Sequence, residues 1–321
     1  MNTQYEKMNE IEKLSFLAKL STMYYDLGMT QSEIAEKLAI TRFKISKYLQ
    51  EARDKNVVEI SINYPHERMF EIEQQLMEKF NLKKAIVLNN NFLPGDEISH
   101  SLGKLGAEYL ENIINENTIM GILWGKSISC AIKQLKPKQK LPITVLQVRG
   151  AAAKDNPLID TPDLIRTVAN IYNGKYKYLY APLYIDNDYA RKSLSQEPVI
   201  NDTLFLANKS NLVLTGIGTT DAVFASSLWS KYLMHDFKPK NAVGCIYGHV
   251  FDISGKLIDS PVNEKVVGID LTTLLNVEER IGIASGKFKS EAILGALRGK
   301  FINVLITDED TASKIINLSE N

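Results

Sequence analysis

Apolar residues in the first sixty positions recur at helical spacing. Over residues 8–27 the repeat runs through Ile11, Leu14, Leu17, Ala18, Met23, Tyr24 and Leu27 and closes at Gly28, a residue suited to the left-handed turn that ends a helix. A second stretch, TQSEIAEKLAITRFKISKYLQEAR (30–53), reads as two short helices and a tight turn. Thr30 and Glu33 have the spacing of a capping box, and Ile34, Ala35 and Leu38 share the next helical face. Ile40 precedes a second cap, Thr41, after which Ile45, Leu49 and Ala52 repeat. Gln31 lies on the polar side of the first helix, and Thr41, Arg42, Lys44, Ser46, Lys47 and Gln50 lie on that of the second. A helix held down on one side and presenting cations and hydrogen-bonding groups on the other suits a DNA groove, so the spacing predicts a helix-turn-helix.

After Arg53 the period shortens. Val57, Val58, Ile60 and Ile62 are β-branched and nearly alternate until Pro65, which predicts a short strand, either a wing or a linker. Residues 67–80 carry Met69, Ile72, Leu76 and Phe80 on one stripe, a helix that connects, pairs two copies or packs on the next domain. The boundary is placed near Tyr64, giving domains 1–64 and 65–321. Beyond it, apolar runs at 85–88, 118–124, 143–148, 176–182, 211–218, 242–248, 279–284 and 303–307 are separated by helical patterns at 96–115, 126–135, 160–173, 219–234 and 287–299. Strands with little alternation between helices predict a sheet covered on both faces, a doubly wound α/β domain.

Charge sharpens this picture. The 321 residues hold 38 basic and 38 acidic side chains, too even a balance to coat nucleic acid generically. Residues 41–55 nevertheless hold five basic against two acidic ones, a local patch in the right place. Cys130 and Cys245 make neither a disulfide framework nor a zinc spacing, and the four histidines are scattered. Neither a metal nor a cofactor is expected. No apolar run is long enough to span a membrane and the first residues are polar, so the expected compartment is the cytoplasm.

In an open parallel sheet ligands bind where strands end and helices begin. Such ends carry Gly125-Lys126-Ser127, Gln147 with Arg149-Gly150, Gly216 and Gly218 within TGIGTT, and Ser285-Gly286-Lys287-Phe288-Lys289. Glycine turns with cations and hydroxyls suit a phosphate or polyol. The GIGTT loop has Asp221 where a dinucleotide fingerprint needs its third glycine, and Gly121 is one residue too close to Gly125 for a nucleotide-binding P-loop.

These motifs together resemble the SorC family of sugar-responsive bacterial regulators. The resemblance runs through SEIAEKLAITRFKISKYLQEAR, GILWGKS, LQVRGA, YLYAPL, LTGIG, AVGCIYGHVFDISGK and ASGKFKSEAILGALRGKFINVLITDEDTA. It implies an effector domain similar to sugar-phosphate isomerases, binding a phosphorylated sugar or sugar alcohol without turning it over. It also implies dimers or tetramers on double-stranded operator DNA. By resemblance, Gly125, Lys126 and Ser127 cradle the effector, Gln147, Arg149 and Gly150 line the next strand end, and Gly216 and Gly218 form a wall. Arg149 and Lys289 would meet phosphate, and Asp252 would accept sugar hydroxyls, although Asp252-Ile253-Ser254-Gly255 also reads as a hairpin turn. Two positions depart from the family pattern. Cys245 stands where a carboxylate is frequent, and Ala151-Ala152-Ala153 is more apolar than the usual glycine-rich loop. The rival reading is a sugar-phosphate isomerase with an accessory N-terminal domain, with Asp221 and Asp252 as the nearest candidate bases.

Overall fold

Thr30 opens the helix Gln31–Lys37 through reciprocal bonds. Its hydroxyl accepts the Glu33 amide at 3.3 Å, and the Glu33 carboxylate accepts the Thr30 amide at 2.7 Å, satisfying donors that a helix start leaves bare. Ala39, in the left-handed region at φ 53°, turns the chain, and Thr41 caps the helix Arg42–Asp54. The helix Glu10–Ser21 starts from its own capping box, Asn9 with Glu12. Where spacing predicts one helix to residue 27, the α-helix stops at Ser21 and the chain widens into an i→i+5 turn over Thr22–Asp26, with the Leu27 amide donating to the Thr22 carbonyl. Met23 and Tyr24 on that turn pack against Leu20, Ile34, Ile45 and Leu49, the small core of these helices.

The computed structural model describes residues 4–60, 67–152, 156–221 and 241–320. The chain divides into two compact units, Met1–Pro65 and His66–Asn321. The strand expected over 57–62 is corrected in its described part: the Val57 and Val58 amides donate to the Ala52 carbonyl, finishing the helix, and residues 57–60 pair with no strand. Residues 61 and 62 lie outside the described residues, as does most of the helix expected over 219–234.

The second unit has strands β1 Lys84–Leu88, β2 Ile119–Ile122, β3 Thr144–Gln147, β4 Lys175–Lys177, β5 Leu212–Gly216, β6 Gly218–Thr219, β7 Ala242–Ile246, β8 His249–Asp252, β9 Glu279–Ile283 and β10 Val304–Asp308. Seven form one parallel sheet in the order β1-β10-β9-β5-β2-β3-β4. Its side chains alternate between two cores. Ala85, Val87 and Leu305 face the helices Phe70–Phe80, Ser290–Arg298 and Glu309–Glu320, while Ile86, Leu88 and Ile306 face Gly95–Ile113, Lys126–Gln134 and Thr161–Tyr172. Burying both faces explains why the strands read as unbroken apolar runs. The helix Phe70–Phe80 packs Leu76 into the first core, and its buried Glu73 holds Arg68 in two hydrogen bonds and accepts the Val87 amide at 2.9 Å.

The run 242–248 departs from expectation. It forms β7 of a separate antiparallel sheet, β6-β7-β8, because Tyr247 and Gly248, both at positive φ, fold it back on His249–Asp252. The second turn of this sheet passes Gly255 (φ 82°), where a Cβ would stand 2.1 Å from the Gly299 amide nitrogen.

Candidate functional site

From β2 the chain proceeds to β3 and β4 on one side of the sheet, and from β5 to β9 and β10 on the other. The order therefore reverses between β2 and β5, and loops leaving adjacent strands diverge to opposite sides, opening a crevice at their carboxyl ends. A cavity of about 250 Å³ lies there. Its floor comes from Leu123–Ser127 after β2, Thr215–Gly218 at the end of β5, and Ile283 at the end of β9 with Lys289 beyond it.

Gly125, at φ 145°, lets β2 turn straight into the helix Lys126–Gln134, and no side chain caps that helix start. The Gly125 amide donates to the Ile159 carbonyl at 2.9 Å and the Ser129 hydroxyl to the Leu158 carbonyl at 3.0 Å, fixing the helix against the next wall. Lys126 is exposed and Ser127 half-buried at the rim. Across the cavity, Gly218 pairs with Cys245 in the small sheet, which places Cys245 in the lining. Lys289 is half-buried, and desolvation lowers its ammonium pKa from the ordinary lysine value. The loop carrying it is anchored by Asp308: the Gly286 amide donates to Asp308 Oδ2 at 3.1 Å and Thr311 Oγ1 at 2.8 Å, while Asp308 Oδ1 accepts the Thr311 amide. Two lysines face the cavity, and none of its described lining residues is a carboxylate. With the bare amide end of a helix, this is a field for an anion.

Of the residues singled out from sequence, Gly125, Lys126, Ser127, Gly216, Gly218, Cys245 and Lys289 meet in this cavity. Four others do not. Gln147 is buried beneath the sheet end, accepting the Leu179 amide at 3.1 Å. Arg149 is 3 % exposed; its guanidinium donates to His249 Nε2 at 3.1 Å, and burial lowers its pKa to about 10. Gly150 has Pro182 so close that a Cβ would stand 2.2 Å from its carbonyl oxygen. The Asp252 carboxylate accepts the Ser254 amide and hydroxyl and the Lys256 amide, so it shapes the hairpin. Close packing seals Gln147, Arg149 and Gly150 at the end of β3, while Ala152, further along the same segment, reaches the lining. Trp124, Ala152, Ile159, Leu183, Tyr184 and Tyr247 also line the cavity; Trp124, Leu183 and Tyr247 lie in the motifs GILWGKS, YLYAPL and AVGCIYGHVFDISGK, but none of the six was singled out as a site residue. Tyr184 is fixed by donating its hydroxyl to the Gly248 carbonyl at 2.6 Å.

In the first unit, Arg42, Ser46 and Lys47 are exposed on the helix Arg42–Asp54, Gln31 and Lys44 are half-buried, and Thr41 is exposed as the cap. The Gln50 side chain is held by Asp54 and Arg53 on its own helix.

Comparison with known proteins gives one family model, described as "Putative sugar-binding domain", matching residues 64–317. The deoxyribonucleoside regulator of Bacillus subtilis is 29% identical over 310 residues, covering 95% of this chain and 98% of that one. The sorbitol operon regulator of Klebsiella pneumoniae is 28% identical over 315 residues, covering 96% and 100%. The crystal structure of the full-length sorbitol operon regulator SorC from Klebsiella pneumoniae superposes with a TM-score of 0.70 at 28% identity, over 94% of this chain and 98% of that one. The chain belongs to the SorC family and carries its sugar-binding domain.

Proposed function

We propose that this chain is a DNA-binding transcriptional regulator of a carbohydrate operon, and that an anionic sugar in the cavity of the second unit sets its affinity for the operator. The observation that carries the effector class is the pairing of Lys126 and Lys289 at the strand-order reversal without a lining carboxylate among the described residues. A phosphorylated sugar or sugar alcohol fits it: phosphate for the lysines and the helix start, hydroxyls for Ser127 and the glycine amides, and an apolar ring face for Trp124. Residues 30–53 are the helix-turn-helix in this reading, with Arg42, Lys44 and Lys47 toward phosphates or bases, and the chain acts as a dimer or tetramer on a palindromic operator. Effector binding moves operator affinity only through a difference in its own affinity for the two states, and operator binding moves effector affinity by the same factor. Among the described lining residues the isomerase reading finds no base: such chemistry needs a carboxylate at the reacting carbon, and neither Asp221 nor Asp252 lines the cavity.

The test is a thermal-shift screen of the full chain against phosphorylated and free sugars and polyols, followed by operator binding with each hit. A phosphorylated ligand at a hundred times its Kd adds about 2.7 kcal/mol of stability. Lys289→Ala and Lys126→Ala should each weaken that ligand roughly tenfold or more, the loss expected for a charge-assisted bond, and leave the unliganded melting unchanged. Equal stabilisation by free sugars, with both variants binding like the parent, defeats the anionic effector. Operator affinity indifferent to every hit defeats the regulatory link.

A further inference from the structure

On the helix Arg42–Asp54 the buried residues are Ile45, Leu49 and Ala52. The opposite face is the stripe Phe43, Ser46, Lys47 and Gln50, spaced by three and four residues. Phe43 heads that stripe and is 80% exposed. Arg42 precedes it, Lys44 follows it and Lys47 lies one turn on, while the first turn of the helix holds no acidic residue. The helix start adds its own partial positive charge. A benzene ring thus stands in the most cationic part of the unit, at the end of the helix that enters a groove first.

From this placement we infer that Phe43 reads sequence, packing its ring on the C5-methyl group of a thymine in the major groove. The inference rests on the helix-turn-helix reading above. The flanking cations fix the occupant as a polyanion, and the apolar feature a polyanionic duplex offers in its major groove is the thymine methyl. The cations supply affinity that is blind to sequence, and Phe43 supplies discrimination. Being exposed and outside the core of Leu20, Ile34, Ile45 and Leu49, it can be truncated without disturbing the fold.

The experiment selects a preferred duplex from a random double-stranded pool with the full chain, then replaces each thymine in turn by uracil, which removes the methyl and keeps the pairing. Burying one methyl corresponds to about fourfold in affinity. One thymine per half-site should therefore show a loss of about fourfold on replacement. Phe43→Ala should lose the same factor on the thymine duplex and be indifferent to uracil at that position alone. Its slope of log affinity against log salt should match the parent's, because an apolar contact releases no counterion, whereas Arg42→Ala should flatten it. Phe43→Ala that keeps the parent's full uracil sensitivity overturns the inference and leaves the helix-turn-helix standing. A changed sedimentation coefficient with no change in uracil sensitivity overturns it in favour of a contact between copies. If the parent selects no duplex at all, the helix-turn-helix reading falls and takes this inference with it.

Discussion

Acid should destabilise the second unit through one histidine. His249, on β8, is 7% exposed, and its Nε2 accepts from the Arg149 guanidinium. A guanidinium only donates, so the ring is held neutral with its proton on Nδ1. Burial and then the Arg149 charge push its pKa down to about 3, against the favourable hydrogen bonding of Asn263. In the unfolded chain the same imidazole titrates at about 6.5. Below that value the unfolded state takes up a proton that the folded state refuses until about pH 3, so stability is complete above pH 6.5 and falls as pH drops through the window between the two. Between pH 7 and pH 5 the loss from this residue alone comes to about 2 kcal/mol. Both tryptophans, Trp124 and Trp229, lie beyond Pro65, so indole fluorescence during urea unfolding follows this unit alone. His249→Gln keeps an oxygen to accept from Arg149 and cannot titrate. The difference in unfolding free energy between parent and variant should shift by about 2 kcal/mol over those two pH units, other titrating groups cancelling. Parallel pH profiles would refute the account of His249 as a neutral, buried acceptor.

Two further outcomes rest on local geometry. Gly255→Ala puts a methyl 2.1 Å from the Gly299 nitrogen at a φ of 82°, and strain with backbone displacement should cost on the order of 2–3 kcal/mol in the same tryptophan-monitored unfolding; an unchanged midpoint would contradict the close approach. Thr30→Ala removes the hydroxyl half of the capping box and should cost the first unit about 1 kcal/mol, read by hydrogen exchange in Gln31–Lys37, with Thr30→Ser restoring most of it.

The parallel strands and the cavity's cationic residues were legible because each obeys a local rule. A glycine after an apolar run announces a strand-to-helix turn, and Gly125, Gly216, Gly218 and Lys289 conform to it. Which strand ends share a site depends on strand order, which no local pattern encodes. Gln147, Arg149 and Gly150 satisfy the same rule as Gly125 but are sealed by partners distant in sequence: Gln147 by the Leu179 amide, Arg149 by His249 and Gly150 by the backbone of Pro182. Tyr184, Leu183 and Tyr247 reach the cavity from turns held by long-range bonds, such as Leu183 with Ala151 and Val267. The small sheet was hidden because Tyr247-Gly248 is a two-residue turn whose first member is a bulky residue at positive φ, against the usual turn preference. The capping box at Thr30 and the stripe Ile45, Leu49 and Ala52 were legible because both are set within a few residues, whereas the widened turn at Thr22–Asp26 interrupts the helix expected over 8–27.

The pairing of β1 with β10 also bears on how this chain is born. Lys84 lies in register with Val304, and β10 sits between β1 and β9. The sheet is completed only when a strand synthesised about 220 residues after its neighbour slides into the gap, a delay of roughly 10–45 s at the usual pace of translation. The helices of residues 4–54, joined by near-neighbour contacts, are finished long before. On every ribosome the nascent chain thus carries a completed N-terminal unit for tens of seconds while β1 waits, one apolar edge bare, for its partner. Premature termination between the end of the first unit and β10 would leave that unit intact beside an unclosed sheet.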